Sequence, residues 1–163
     1  MLLESLRREK DYKEETLYLA TSLVDRFLSA LRTADRNYPN LIMIAVIATL
    51  MAAKMEQPIQ PSMIRMIRLV ESNWGVGIDQ KDLIDLESDI IKTLDFNLIH
   101  TAPTVFIERY MRLMDLDKKY PELLTFAKKS ARSLLRSHLF LKYNSAQIGA
   151  AALTFAFNVA SNQ

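Results

Sequence analysis

The feature that most constrains the fold is a helix-favouring segment from Asn40 to Met55 that carries no charge until Lys54. A helix without a polar face is stable only when other helices surround it. The preceding segment, from about Glu14 to Leu31, places apolar residues on one helical face, namely Leu17, Ala20, Leu23, Val24, Phe27, Leu28 and Leu31. The sequence therefore predicts a buried central helix with an amphipathic helix packed against it.

The composition favours helix throughout the chain. Only 3 glycines occur, and the 5 prolines lie between periodic segments, as expected for a helical protein. Pro61 is predicted to open a third helix in its first turn, and Asp79 to cap a fourth helix that continues through Leu94. No segment alternates between polar and apolar residues as a strand does, so the predicted fold class is all-α.

A similar order of segments returns in the second part of the chain. Helices are predicted from Thr101 to Asp115, with Thr101 as the N-terminal cap, and from Pro121 to His138. A segment without charge then runs from Tyr143 to Gln163. Two charge-free segments, each preceded by amphipathic helices, predict two tandem copies of one helical unit.

The predicted domains are residues 1–98 and 99–163, each built around its charge-free helix. The polar residues of the second such segment include Asn144, Ser145, Gln147, Asn158 and Ser161, which are too many for a membrane span. Burial within protein is therefore expected. Further residues or a partner would have to cover the far side of this helix.

Several classes of function are disfavoured by the residues present. The chain has no cysteine, and hence no disulfide, thiolate nucleophile or cysteine-bound zinc. His100 and His138 have no ligand partner at helical spacing, so no metal site is predicted. Gly75 and Gly77 lack the lysine that follows in a phosphate-binding loop. We therefore expect neither an enzyme nor a cofactor.

The chain is expected to act inside the cell, in the nucleus, the cytoplasm or both. Its first residues, MLLESLRREKDYKE, mix charged and apolar side chains, unlike a signal peptide. The most apolar run, from Leu41 to Ala53, is too short to cross a bilayer. A formal net charge of +2 is too small to predict binding to nucleic acid or to an anionic membrane.

Four segments in the first part of the chain resemble successive landmarks of the cyclin box. They are Glu15-Thr-Leu-Tyr-Leu-Ala20, Asp25-Arg26-Phe27-Leu-Ser29, Ala52-Ala-Lys54 with Glu56, and Leu86-Glu87 followed by Ile90-Ile-Lys-Thr-Leu94 and Phe96. Ala102-Pro-Thr-Val-Phe106 with Tyr110 is similar to the opening of the second cyclin box, and Tyr143 to Ala156 to its central helix. This resemblance to the cyclin family covers nearly the whole chain and implies a two-box helical fold, in which Asp25, Arg26 and Phe27 are structural residues.

The resemblance implies a chain that binds and activates a cyclin-dependent protein kinase. In cyclins a lysine and a glutamate contact the main chain of the kinase around its regulatory helix, and Lys54 and Glu87 occupy these places. Met55, Ile91 and Leu98 match positions where cyclins present apolar side chains to the kinase, although each could equally belong to the core. Without the resemblance, Lys54 would be interpreted as a cation at the negative end of a helix dipole, and Glu87 as a residue at the rim of the core.

Some residues depart from the pattern of cell-cycle cyclins. Their substrate-docking patch has a tryptophan and a glutamine where this chain has Leu2 and Ile42, so docking of short Arg-x-Leu motifs is not expected. Leu41, Ile42 and Trp74 are candidate contacts with a partner. Trp74 lies in a lengthened loop, where it either contacts a partner or packs on its own core.

The resemblance also implies an incomplete charge pair at Asp25. Only Met1 to about Glu9 matches the first helix of the box, and the arginine that pairs with this aspartate in the family would precede Met1. The second box is expected to end after three helices. A buried carboxylate without a partner is unfavourable.

Two other functions are compatible with the sequence. One is a structural adaptor that uses the cyclin fold within a larger assembly without a kinase. The other is a DNA-associated factor similar to the transcription factor IIB group, which shares the two-box fold. Lys128, Arg132 and Arg136 lie four residues apart and form a basic stripe beside Lys129, which either is solvated or contacts phosphates. Nucleic-acid binding is the less expected of the two.

Overall fold

The computed structural model describes residues 2–9, 11–37, 39–59 and 61–161, apart from the side chains of Leu2 and Glu9. Within these residues the secondary structure is helical and contains no strand. The α-helices are α1 (Leu2–Glu9), α2 (Glu14–Thr33), α3 (Leu41–Glu56), α4 (Met63–Trp74), α5 (Gln80–Thr93), α6 (Pro103–Leu113), α7 (Pro121–Leu134) and α8 (Ser145–Ser161), and a 3-10 helix spans His138–Phe140. The predicted all-α class is confirmed.

The chain forms two compact units, Met1–His100 and Thr101–Gln163. We refer to them as unit 1 and unit 2. The boundary lies close to the predicted one, but whether unit 2 repeats unit 1 stays a prediction.

Helix α3 is the centre of unit 1. It buries every residue from Ile44 to Ala53, and α1, α2, α4 and α5 all pack against it. Helix α2 contributes a buried stripe that includes Leu23, Phe27 and Leu31. The central position that the charge-free segment predicts for this helix is confirmed.

Helix starts in unit 1 follow the side chains that can cap them. The Asn40 side chain accepts a hydrogen bond from the backbone of Ile42 at 2.8 Å and begins α3, and Asp79 caps α5 as predicted. Pro61 was expected in the first turn of α4, and this prediction is wrong. The helix begins at Met63, because the Ser62 hydroxyl accepts a hydrogen bond from the backbone N–H of Arg65 and is the N-cap.

Unit 2 packs α6, α7 and α8 around a small core of Ile107, Met111, Ala127, Ala131, Ala152, Leu153 and Ala156. Gly149 lets α6 and α8 approach closely, since a Cβ there would lie 3.0 Å from the carbonyl oxygen of Pro103. The prediction that α8 is surrounded holds for one face only. Phe155 on another face is 54% exposed.

Two predicted helix boundaries in unit 2 are wrong. Helix α6 begins at Pro103 and Thr101 does not cap it, because the N-cap residue is Ala102, which makes no side-chain cap. Helix α7 ends at Leu134 instead of His138. The following backbone N–H groups bond three residues back, as in Leu135 to Arg132, which tightens the chain out of the α-helical path.

Candidate functional site

The most distinctive charged feature of unit 1 is an ion pair between α3 and α5. Lys54, in the last turn of α3, places its Nζ 2.6 Å from Oε1 of Glu87 on α5. The two side chains are 38% and 19% exposed, respectively. Two ammonium hydrogens of Lys54 and the second carboxylate oxygen of Glu87 stay free of this bond, so the pair can offer a donor and an acceptor side by side. The structure thus brings together the two residues that the sequence resemblance selected.

The end of α3 that carries Lys54 is held in place by a hydrogen bond between Gln57 and Thr16. Gln57, the C-cap of α3, has an extended backbone, and its side-chain amide donates a hydrogen bond to the hydroxyl of Thr16 at 2.6 Å. Thr16 lies fully buried on α2. This bond fixes the terminus of α3 against α2, and therefore restricts where Lys54 can reach.

Apolar side chains accompany the ion pair on both helices. Met55 is 47% exposed, and Ile91, one turn after Glu87, is half-buried. Ile84 is 48% exposed and falls three residues before Glu87, on the same side of α5 as Ile91. Ile84 is not among the predicted binding residues, although its spacing from Glu87 and Ile91 could have identified it.

The segment after α5 turns sharply and carries Leu98. Asp95 and Phe96 both have a positive φ, of 50° and 58°, which is unusual for residues with a side chain. The guanidinium of Arg26 donates a hydrogen bond to the carbonyl oxygen of Asn97 at 2.5 Å. Arg26 therefore holds this turn onto α2, and Leu98 beside it is half-buried.

The Arg26 guanidinium also affects the histidine at the end of the turn. Burial lowers the pKa of His100, and the charge of Arg26 lowers it further. The imidazole is therefore held in its neutral form at neutral pH.

Asp25 occupies α2 one residue before Arg26 and is half-buried. Within the described residues, no hydrogen bond or ion pair involves its carboxylate. Burial raises the pKa of this carboxyl above its ordinary value. The ionised form therefore destabilises the folded state.

We predict that Asp25→Asn raises the free energy of unfolding at pH 7. A raised folded-state pKa means that the stability linked to the protonated form is fully present below the unfolded-state pKa of about 3.9 and is lost as the pH rises through the folded-state value. The asparagine variant should lose this dependence on pH. The gain should stay below about 1 kcal/mol, because the side chain is partly screened by water.

The measurement is urea unfolding of both proteins between pH 4 and pH 7. The difference in stability between the variant and the wild type should grow with pH. A difference that is constant over this range would show that folding does not shift the pKa of Asp25. A difference that falls as the pH rises would show that the folded state stabilises its carboxylate.

Other candidate contact residues lie away from the ion pair. Leu41 is 61% exposed and Ile42 is half-buried. Both belong to the first turn of α3, about 20 Å along the helix from Lys54. Trp74 was expected in a loop, and this prediction is wrong, because it is the last residue of α4. Its side chain is 38% exposed. The side chain of Leu2, expected at the altered docking patch, is outside the described residues.

The basic stripe on α7 is smaller than its spacing predicts. Lys128 places its Nζ 2.5 Å from a carboxylate oxygen of Glu108 on α6, which neutralises one of the three cations. Glu108 also pairs with Arg112. Arg136 is exposed but lies two residues beyond the end of α7, so the prediction that it shares one helix face with Lys128 and Arg132 is wrong. Because Lys128 is paired, the stripe offers fewer cations for contacts with phosphates than its sequence predicts.

The described residues were compared with two kinds of site, a cluster of metal ligands and a membrane-spanning helix, and contain neither. None of their histidine and carboxylate side chains form a cluster of three or more that could hold a metal ion. Over the same part of the chain, no helix is both long enough and apolar enough to cross a membrane.

Comparison with known proteins identifies the family to which this helical chain belongs. Residues 1–99 match the family model of the cyclin N-terminal domain. These residues make up more than half of the 163-residue chain and include all of α1 to α5. The chain belongs to the cyclin family.

Among its curated relatives are mitotic cyclins of fungi and plants. The chain is 32% identical over 143 residues to the G2/mitotic-specific cyclin-B of Emericella nidulans, covering 87% of this chain and 28% of that protein. It is 31% identical to Cyclin-B2-4 of Arabidopsis thaliana, covering 86% and 30%, and 32% identical to the G2/mitotic-specific cyclin cdc13 of Schizosaccharomyces pombe, covering 87% and 27%. The chain thus spans less than a third of the length of these relatives.

Proposed function

We propose that the chain is a cyclin-like regulatory subunit that binds and activates a cyclin-dependent protein kinase inside the cell. The observation that carries this proposal is the Lys54–Glu87 pair at the α3/α5 junction. Membership of the cyclin family supports it, as does similarity to relatives that are named as mitotic cyclins. The chain contributes a binding surface, and the kinase contributes the catalytic groups.

The pair can recognise the main chain of a partner without regard to its side chains. Glu87 can accept a hydrogen bond from a backbone N–H, and Lys54 can donate one to a backbone carbonyl. Hydrogen bonds of this kind are stronger than neutral ones because one partner is charged. Their separation is set before binding, since the two side chains already hold each other at 2.6 Å. The pair would therefore fix the register of a helix of the kinase on this surface.

Apolar contacts would supply most of the affinity. Met55 is 47% exposed beside Lys54, while Ile91 and Leu98 are half-buried near Glu87 in sequence. Partly exposed apolar side chains around a charged centre are typical of a surface whose burial drives association. We assign these three residues to the kinase-binding surface.

Activation would follow from the position that the kinase adopts on binding. In protein kinases a glutamate on the regulatory helix pairs with the lysine that positions ATP phosphates, and this ion pair requires the helix to lie inward. A rigid surface that grips the helix stabilises its inward position and orders the activation segment. The cyclin chain therefore acts by favouring one of two kinase conformations.

The test is affinity capture of the tagged chain from extract of its own cells, with mass spectrometry of the bound proteins and an assay of the captured kinase activity. We expect to capture a protein kinase. Its activity should rise when more of the purified chain is added. Capture of a reproducible set of proteins that contains no kinase would overturn the proposal.

That second outcome would favour the adaptor function. One observation in unit 2 points toward it: α8 carries no charge, yet Phe155 is 54% exposed and Ala150, Ala151 and Ala160 are exposed with it. The exposed side of α8 also carries Gln147, Thr154 and Asn158. An uncharged helix surface with an exposed phenyl ring is suited to packing against another protein. The same capture experiment separates the two functions by the identity of the bound proteins.

A further inference from the structure

A second polar contact holds α5, and it lies on the side of the helix away from Glu87. Arg36, in the connection between α2 and α3, places Nη2 at 3.0 and 2.8 Å from the two carboxylate oxygens of Asp89. Its Nη1 donates a hydrogen bond to the hydroxyl of Thr93 at 3.3 Å. We call this three-residue contact the Arg36 clamp.

The backbone that carries Arg36 is itself fixed. Asp35 has a positive φ of 50°, and the N–H of Arg36 bonds to the carbonyl oxygen of Leu31 at 3.0 Å. This pattern closes the C-terminus of α2 in the manner of a Schellman motif. Arg36 therefore extends from a fixed helix end, and its guanidinium ties α5 to the C-terminus of α2.

Helical geometry shows why the clamp and the ion pair act together. At 3.6 residues per turn, Asp89 lies roughly 160° around the α5 axis from Glu87. The buried row of Leu83, Leu86 and Ile90 lies between the two. Helix α5 is thus held from both flanks, by Lys54 on one side and by Arg36 on the other. Loss of either contact removes one of these two restraints on rotation of the helix about its buried row.

We infer that the Arg36 clamp is a positioning device for the partner-binding side of α5. It sets the rotation of α5 at which Glu87 meets Lys54 and Ile91 faces the partner. This inference rests on the proposed function of the Lys54–Glu87 pair. A roll of about 10° would move a side-chain tip by about 1 Å, which is enough to weaken a directional contact.

The clamp should affect binding more than stability. The side chains of Arg36 and Asp89 are 48% and 34% exposed, and exposed ion pairs add little to the free energy of folding. A variant without the clamp therefore keeps its fold. Its α5 helix, however, no longer presents Glu87 in a single orientation.

The test measures affinity for the captured kinase in two backgrounds. We expect Arg36→Met to weaken binding by about three- to tenfold, within the range seen for residues that act through others. Arg36→Lys, which keeps the charge and can still reach Asp89, should restore most of the affinity. In a Glu87→Gln chain the effect of Arg36→Met should fall below about twofold, because Arg36 acts through Glu87. An equal loss in both backgrounds, or no loss in the wild-type background, would overturn the inference.

A second measurement is independent of the kinase and separates failure of the clamp from failure of the proposed function. The coupling between Lys54 and Glu87 can be obtained from the stabilities of the wild type, Lys54→Met, Glu87→Gln and the double variant. We expect this coupling to shrink when the cycle is repeated with Arg36→Met. An unchanged coupling would show that the clamp does not position Glu87, whether or not a kinase binds.

Discussion

Exchange of the two charges of the α3/α5 ion pair, by Lys54→Glu and Glu87→Lys in one chain, is expected to abolish kinase binding while helical content and thermal stability stay nearly unchanged. The exchanged side chains can still pair with each other, so the fold keeps the contact seen at 2.6 Å. The donor and the acceptor have changed places, however. Each backbone group of the partner then faces a group that it cannot bond. Affinity should fall at least about 30-fold, because disruption of a buried charge-assisted contact costs about 2 kcal/mol or more.

Isothermal titration with the captured kinase measures this loss, and circular dichroism follows the fold. The single variants Lys54→Met and Glu87→Gln should each weaken binding by less than the exchange does. A matched control is the exchange of the Lys128–Glu108 pair in unit 2, which should leave binding unchanged. If the Lys54–Glu87 exchange binds like the wild type, the pair does not recognise the kinase. If it lowers the melting temperature strongly, the pair is structural.

Replacement of Phe27 by alanine is expected to have the largest effect on stability. Phe27 is fully buried on α2 and belongs to the Asp25-Arg26-Phe27 landmark. Removal of a buried phenyl ring leaves a cavity and costs about 3–5 kcal/mol. Since the whole free energy of unfolding of a domain is about 5–15 kcal/mol, this variant should unfold at a much lower urea concentration.

Urea unfolding followed by circular dichroism checks this prediction. Phe27→Leu, which fills most of the cavity, should lose much less stability than the alanine variant. The folded fraction of the alanine variant should bind the kinase with unchanged affinity, because Phe27 has no exposed surface. A loss below about 1 kcal/mol in the alanine variant would mean that the core around α2 can close over the missing ring.

The helices could be predicted from local chemistry, and their boundaries only in part. The charge-free segment determines that α3 is central, and the aspartate at position 79 has the side chain that caps α5. At Pro61 and Thr101 the sequence offers two adjacent starting points for a helix. The fold selects Ser62 in one case and Ala102 in the other. The serine has the hydroxyl that a cap requires, so the start of α4 was predictable, whereas Ala102 makes no side-chain cap and gives no such signal.

The candidate site was predictable only through the resemblance. Lys54 and Glu87 are 33 residues apart in the chain, and Arg36 and Asp89 are 53 apart, so no local pattern brings either pair together. The basic stripe on α7 shows that a clear local pattern can also mislead. Its spacing fits one helix face, but α7 ends before Arg136, and Glu108, 20 residues earlier, pairs with Lys128. Contacts between distant segments decide which charges face a partner.

The mutual neutralisation of Lys54 and Glu87 has a consequence for the kinetics of association. A closed ion pair presents no net charge to an approaching protein, so it adds little to the long-range field that steers encounters. Salt at moderate concentration screens such fields over about 10 Å. The pair should therefore leave the association rate almost independent of ionic strength and express its selectivity in the lifetime of the complex. A wrong partner would meet this surface as often as the right one, and would leave it sooner.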